Sequence, residues 1–135
     1  MKILVVDDSR AMRRIVSRTI RQAGYEGHDI VEAENGQEAL EVAKSEKPDL
    51  ILSDTAFSDM NGFEFVEQLR RNDDWADIPF MFLSSDGSIE SKIRGLELGV
   101  QDYLTKPIYI REVVARVGIE LARQARAGLA LKSTD

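Results

Sequence analysis

Pro48-Asp49-Leu50-Ile51-Leu52-Ser53-Asp54 is the stretch whose reading decides the fold. Leu50, Ile51 and Leu52 are apolar without helical spacing, and a proline stands just ahead of them. Bounded this way, the run reads as a strand buried on both faces, as in a parallel sheet. It stops abruptly at a carboxylate. In open parallel sheets ligands bind just beyond the carboxyl ends of the strands, so Asp54 stands at the edge where such sheets do their chemistry. Taken alone, an aspartate there serves as readily as a turn former. The rest of the chain decides between the two.

Working outward, the same grammar repeats. Ile3 to Val6 is an apolar, β-branched run that ends at Asp7-Asp8. Ser9 is a good N-cap, and Met12, Ile15, Val16, Thr19, Ile20 and Ala23 follow at helical spacing, with Gly24 as the stop. The intervening arginines (Arg10, Arg13, Arg14, Arg18, Arg21) read as a solvated helix face. Ile30 to Ala33 has the mixed polarity of an edge strand. Asn35-Gly36 reads as a turn before a helix over 37–47, with Ala39, Leu40 and Ala43 inward. After Asp54, Thr55 to Gly62 is a loop of small and polar residues, and Phe63, Val66 and Leu69 mark a third helix. Pro79 to Leu83 is another buried strand, halted at Ser84. Ile89, Ile93 and Leu96 give a fourth helix stopped by Gly99. Asp102 to Thr105 is a short last strand ending at Lys106-Pro107. A final helix runs from about Ile110 past Ala125, with Val113, Val114, Val117 and Leu121 inward. Strands alternating with helices imply βαβ units with right-handed crossovers, hence an α/β fold: one doubly wound, five-stranded parallel sheet covered by five helices.

Composition narrows the chemistry. At 135 residues the chain has the size of one domain. Its net charge of -6 argues against direct nucleic-acid binding or attachment to anionic membrane. No apolar run reaches the length of a membrane span, and the N-terminus turns acidic at Asp7, too early for a signal peptide. A cytoplasmic location is therefore expected. With no cysteine, thiolate metal sites and thiol nucleophiles are excluded. The one histidine, His28, reads as an exposed loop residue.

Polar groups thus fall at the ends of four strands of one sheet edge: Asp7-Asp8, Asp54, Ser84 and Lys106. Three neighbouring carboxylates repel one another, so the site calls for protonation, a cation, or both. Mg²⁺ suits an all-oxygen set that must also meet phosphate. A carboxylate can then act as nucleophile toward phosphorus, with Lys106 as a second cation and Ser84 as a hydrogen-bond donor.

On these residues the chain resembles the receiver domain of two-component response regulators. Val5-Val6-Asp7-Asp8-Ser9 and Leu104-Thr105-Lys106-Pro107 are close matches, and the likeness covers residues 2 to 123. The first half looks most like a stand-alone, chemotaxis-type regulator. The resemblance implies a flavodoxin-like sheet in the order 2-1-3-4-5, the order for which a chemotaxis receiver is a standard example. It implies that a histidine kinase phosphorylates Asp54, that Asp7, Asp8, Asp54 and the backbone carbonyl of Ala56 hold Mg²⁺, and that Lys106 contacts the phosphoryl group. Ser84 would move to bond that group, and Tyr103, by itself a partly buried aromatic at a strand edge, would swing between rotamers. The Lys106-Pro107 bond would be cis. The resemblance further implies a switch rather than an enzyme, apart from its own phosphorylation and dephosphorylation. The fourth helix, last strand and last helix would control a downstream partner or output domain, or pair with a second copy. Residues 124–135 would be a helical extension or a joint to an output domain. Phe57-Ser58 departs from the family's usual Met-Pro, and Ala56 and Asp86 stand where side chains tune dephosphorylation. An unphosphorylated interaction module, or a phosphatase-like hydrolase, are the alternative readings. The hydrolase would need an acid/base carboxylate that Ala56 does not supply.

Overall fold

The computed structural model describes residues 2–22, 27, 29–107 and 109–133. Five strands alternate with five helices: β1 (Lys2–Val6), α1 (Arg10–Gln22), β2 (Asp29–Ala33), α2 (Gly36–Glu46), β3 (Leu50–Ser53), α3 (Gly62–Arg71), β4 (Phe80–Ser84), α4 (Ile89–Glu97), β5 (Asp102–Thr105) and α5 (Ile110–Ser133). All strand pairs are parallel, in the order β2-β1-β3-β4-β5. The expected fold class and strand order are both present.

Alternation along each strand builds two cores. Leu4, Val6, Ile51, Phe80 and Phe82 face one side of the sheet, where α2 and α3 cover them with Ala39, Ala43, Phe65, Val66 and Leu69. Ile3, Val5, Leu50, Leu52, Met81 and Leu83 face the other, under Val16 and Ile20 of α1 and Val113, Val117 and Leu121 of α5. Because successive side chains point to opposite faces, a strand covered on both sides must be apolar throughout. That is why β3 reads as an unbroken run, and all four of its residues are buried.

Several expectations change in detail. Asn35 is the N-cap of α2 rather than a turn residue: its side chain accepts from the Glu38 N–H at 2.9 Å. Ile15, placed on the periodic face of α1, is exposed, while Thr19 is buried and returns its hydroxyl to the Ile15 carbonyl at 2.7 Å. Ser84 is the last residue of β4 rather than the first beyond it, and it pairs with Thr105. The fourth helix is present as α4, but it does not bury its apolar stripe. Its periodic residues Ile89, Ile93 and Leu96 are 74, 50 and 58% exposed. The one buried residue of α4 is Gly95, which lies on Tyr103 and Phe82. The stop at Gly99 holds, with φ at +81°. Gly24 and His28 lie outside the described residues. No helix among the described residues is long and apolar enough to cross a membrane.

Candidate functional site

The parallel ladder runs one residue past the central strands. Asp7 N–H donates to the Ala33 carbonyl at 3.1 Å, Asp54 N–H to Val6 at 3.0 Å, and Lys106 N–H to Ser84 at 2.6 Å. These backbone bonds fix the three residues at one level, at the carboxyl edge of neighbouring strands. Their side chains meet there. Lys106 Nζ stands 2.8 Å from Asp7 Oδ2 and 3.3 Å from Asp54 Oδ2. Oxygens of Asp7, Asp8 and Asp54 lie within 4.8 Å of one another. Asp7 is 4% exposed, Asp54 half-buried and Asp8 exposed. The Lys106-Pro107 peptide is cis.

One ammonium faces three carboxylates, so the cluster carries excess negative charge. Desolvation, followed by the hydrogen bond and field of Asp7 and the field of Asp54, raises the Asp8 carboxyl above its ordinary range. Burial alone would lower Lys106, but bonding to Asp7 and the fields of Asp54 and Asp7 outweigh it and raise its pKa. Further groups steady Asp7: the Ser9 N–H donates to Oδ1 at 2.9 Å, and Arg13 Nη1 donates to the Asp7 carbonyl at 2.6 Å. Arg13 also meets Glu32 of β2. It read as part of a solvated face, and its half-buried bridge between two strands has no local sequence signal.

The donor set fits a hard divalent cation. It consists of carboxylate oxygens, it is partly open to solvent, and its unbalanced charge is what a cation relieves. Ala56 is exposed in the loop after β3, where it pairs with Asn61.

That loop is closely tied. Phe57 N–H donates to the Met60 carbonyl and Gly62 N–H to Thr55. Asp59 accepts from the N–H groups of Gly36 and Gln37 at 3.0 and 2.9 Å, at the start of α2. Asn61 caps α3 and bonds Glu64 in return. The Phe57 ring meets Phe65 edge-on at 6.4 Å. Gly62 is required by space: a Cβ there would meet the Asp54 carbonyl oxygen at 2.5 Å.

Ser84 and Tyr103 form a second group beside the acidic one. Ser84 is fully buried; its Oγ accepts from the Asp86 N–H at 3.0 Å and shares a hydrogen bond with Thr55 Oγ1 at 2.5 Å. Tyr103 is buried against Phe82, with ring centroids 5.6 Å apart, and donates its hydroxyl to the Asp86 carbonyl. Burial pushes the Tyr103 phenol up, while the hydroxyls of Ser84, Ser91 and Thr55 act in the other direction. Of the residues in this second group, Thr55 had no sequence signal.

Comparison with known proteins bears on this geometry. The family model for the response regulator receiver domain matches residues 3–118. The chain is 42% identical over 121 residues to the phosphate regulon transcriptional regulatory protein PhoB of Pseudomonas aeruginosa, spanning 90% of this chain and 52% of that one. It is 37% identical over 134 residues to the DNA-binding dual master transcriptional regulator RpaA of a Synechocystis strain, spanning 99% of this chain and 54% of that one. The chain therefore spans about half the length of these relatives. Among solved structures, the chemotaxis response regulator CheY4 of Vibrio cholerae superposes with a TM-score of 0.79 at 34% identity, covering 88% of this chain and 97% of that one.

Proposed function

Because the chain belongs to the response regulator receiver domain family, we propose that Asp54 is its phosphate acceptor and that α4, β5 and α5 form the face its state controls. The observation that carries this reading is the bridge of Lys106 Nζ between Asp7 and Asp54 at 2.8 and 3.3 Å. It places a cation against the one carboxylate that ends the central strand.

The donor is the phosphohistidine of a kinase. An Asp54 carboxylate oxygen attacks phosphorus, the P–N bond breaks, and the released imidazole nitrogen takes a proton. Asp7, Asp8, Asp54 and the Ala56 carbonyl would hold Mg²⁺, which when bound offsets charge on the phosphoryl oxygens. Lys106 meets another of those oxygens. The phosphoryl group adds roughly two negative charges and new acceptor oxygens, which draw the Ser84 hydroxyl and the Lys106 ammonium toward them. Ser84 then leaves Asp86, and Tyr103, bonded to the Asp86 carbonyl, responds with it. Gly95 transmits the change, since a Cβ there would already stand 3.3 Å from the Tyr103 ring. The exposed stripe of Ile89, Ile93 and Leu96 is the surface a partner, an output domain or a second copy reads.

Water returns the site to its starting state by attacking phosphorus and releasing phosphate. Ala56 offers no side chain to orient that water, and the Asp86 carboxylate is engaged by the Ser88 N–H and the Ser91 hydroxyl. Residues 124–135 are the extension or joint: among side chains described in α5, Leu121 is the last buried one. Net charge of -6 makes the receiver itself a poor ligand for nucleic acid, and the function belongs in the cytoplasm, where a kinase reaches it.

Incubation with a small phosphodonor and Mg²⁺ tests the assignment. One acid-stable, hydroxylamine-labile phosphoryl group is expected, located by peptide mapping to Asp54 and absent from Asp54→Ala. A label that persists in that variant overturns it.

A further inference from the structure

Thr55 belongs to the Ser84 group and also touches the acidic one. Its backbone N–H donates to Asp54 Oδ1 at 2.6 Å, and its side-chain hydroxyl pairs with Ser84 Oγ at 2.5 Å. Both hydroxyls are buried, Thr55 at 7% exposed and Ser84 at 0%. Ser84 Oγ already accepts from the Asp86 N–H. Ser84 Oγ thus bonds Asp86 and Thr55, with the Tyr103 hydroxyl also beside it, and among the described residues it makes no bond to Asp54.

We propose that Thr55 is a positioning residue: its hydroxyl latches Ser84 in the arrangement of the unphosphorylated protein and so weakens the site's hold on a phosphoryl group. This rests on the reading that Asp54 takes a phosphoryl group and that Ser84 turns to it. The physical reason is an asymmetry of buried hydrogen bonds. A satisfied pair contributes modestly, but a buried hydroxyl left without its partner carries its full desolvation penalty. When Ser84 turns toward the phosphoryl oxygens it gains acceptors there. Thr55 Oγ1 stays behind in a buried pocket and loses the Ser84 hydroxyl, so the pair favours the unphosphorylated arrangement.

The pair also lies on the route to the output face. Ser84 bonds the Asp86 N–H, the Asp86 carbonyl receives the Tyr103 hydroxyl, and the Asp86 carboxylate bonds Ser91 of α4. A residue that holds Ser84 therefore holds the start of a continuous hydrogen-bonded chain into α4. Valine matches threonine in shape but lacks the hydroxyl. It releases Ser84 in one arrangement and leaves nothing unpaired in the other.

Beryllofluoride with Mg²⁺, a stable stand-in for the phosphoryl group, provides the test when titrated by calorimetry. Thr55→Val should bind it about tenfold more tightly than wild type, Thr55→Ser should restore wild-type affinity, and in a Ser84→Ala background the valine substitution should change nothing. Should Thr55→Val not fold, Thr55→Ala carries the same expectation. Unchanged or weaker affinity in a folded hydroxyl-free variant overturns the proposal, as does an undiminished gain in the Ser84→Ala background. Absence of beryllofluoride binding to wild type overturns the Asp54 reading and the latch together, whereas normal wild-type binding with an inert Thr55→Val overturns the latch alone.

Discussion

Helices α3 and α4 carry the same sequence signal and meet opposite ends. Both have apolar residues at helical spacing, and both begin at a polar N-cap, Asn61 and Ser88. Yet α3 buries Phe63, Phe65, Val66 and Leu69, while α4 buries only Gly95 and leaves Ile89, Ile93 and Leu96 facing outward. The difference lies in what each helix covers. Beneath α3 are Phe80 and Phe82 of β4, which meet edge-on with ring centroids 4.9 Å apart, and Phe65 of the helix lies tilted on Phe80 at 5.7 Å. Beneath α4 is Tyr103, whose hydroxyl is held by a backbone carbonyl, and the glycine lets the helix lie close on that ring. The two helices touch through Arg94, whose guanidinium sits 4.5 Å above the Phe63 ring. One helix is anchored by area, and the other rests on the residue proposed to move. Elements that move in switching are drawn from the weakly anchored end of a structure.

This contrast can be broken most easily by truncating each helix in turn. Phe65→Ala should cost about 3–5 kcal/mol in unfolding free energy, as for a fully buried phenylalanine. Ile93→Ala should stay within about 0.5 kcal/mol. Chemical denaturation of both variants measures the difference, and equal losses would end the distinction. The glycines sharpen it at smaller scale. Gly62→Ala forces a methyl against the Asp54 carbonyl oxygen at 2.5 Å and the Thr55 Cα at 2.8 Å. It should cost about 1–3 kcal/mol and slow phosphorylation as well. Gly95→Ala meets the Tyr103 ring at 3.3 Å. It should cost less than Gly62→Ala, with its effect seen mainly in the Tyr103 resonances.

A smaller effect than that of Gly62, and a pH-dependent one, concerns the ties of the loop that leads into α3. Partial burial would raise the Asp59 carboxyl, but the backbone N–H groups of Gln37 and Gly36 hold it below its ordinary value of 3.8. A carboxyl lowered on folding contributes stability above its unfolded pKa and loses it as pH falls through the folded one. Asp59→Asn should therefore cost about 0.5–1 kcal/mol at pH 7, the usual worth of a charge at a helix start. The gap from wild type should close as pH falls through and below 3.8. A gap that stays constant with pH would show that the charge at Asp59 is not what matters.

What the sequence made legible follows from these same physics. Strands covered on both faces must be continuously apolar, so β1, β3 and β4 declared themselves, and with them the sheet edge. Asp7 and Asp54 could be placed because each directly follows such a strand, and Lys106 because it follows the short β5, whose Tyr103 and Leu104 are buried. Periodicity, however, says only that one side of a helix is apolar, not that something lies against it. The outward turn of Ile89, Ile93 and Leu96 was therefore hidden. So was Asp59, whose role depends on the start of α2 being near it in space, and so was Thr55. A threonine in a polar loop gives no local sign that its hydroxyl will be buried against Ser84, which lies in another strand.

The most direct measurement is amide hydrogen exchange with and without a small phosphodonor and Mg²⁺, followed residue by residue. The account predicts altered protection across residues 84–105, strongest in α4, with α3 unchanged beyond its first turn and no change anywhere in Asp54→Ala. Altered protection spread evenly over α3 and α4, or the same pattern in Asp54→Ala, would contradict it.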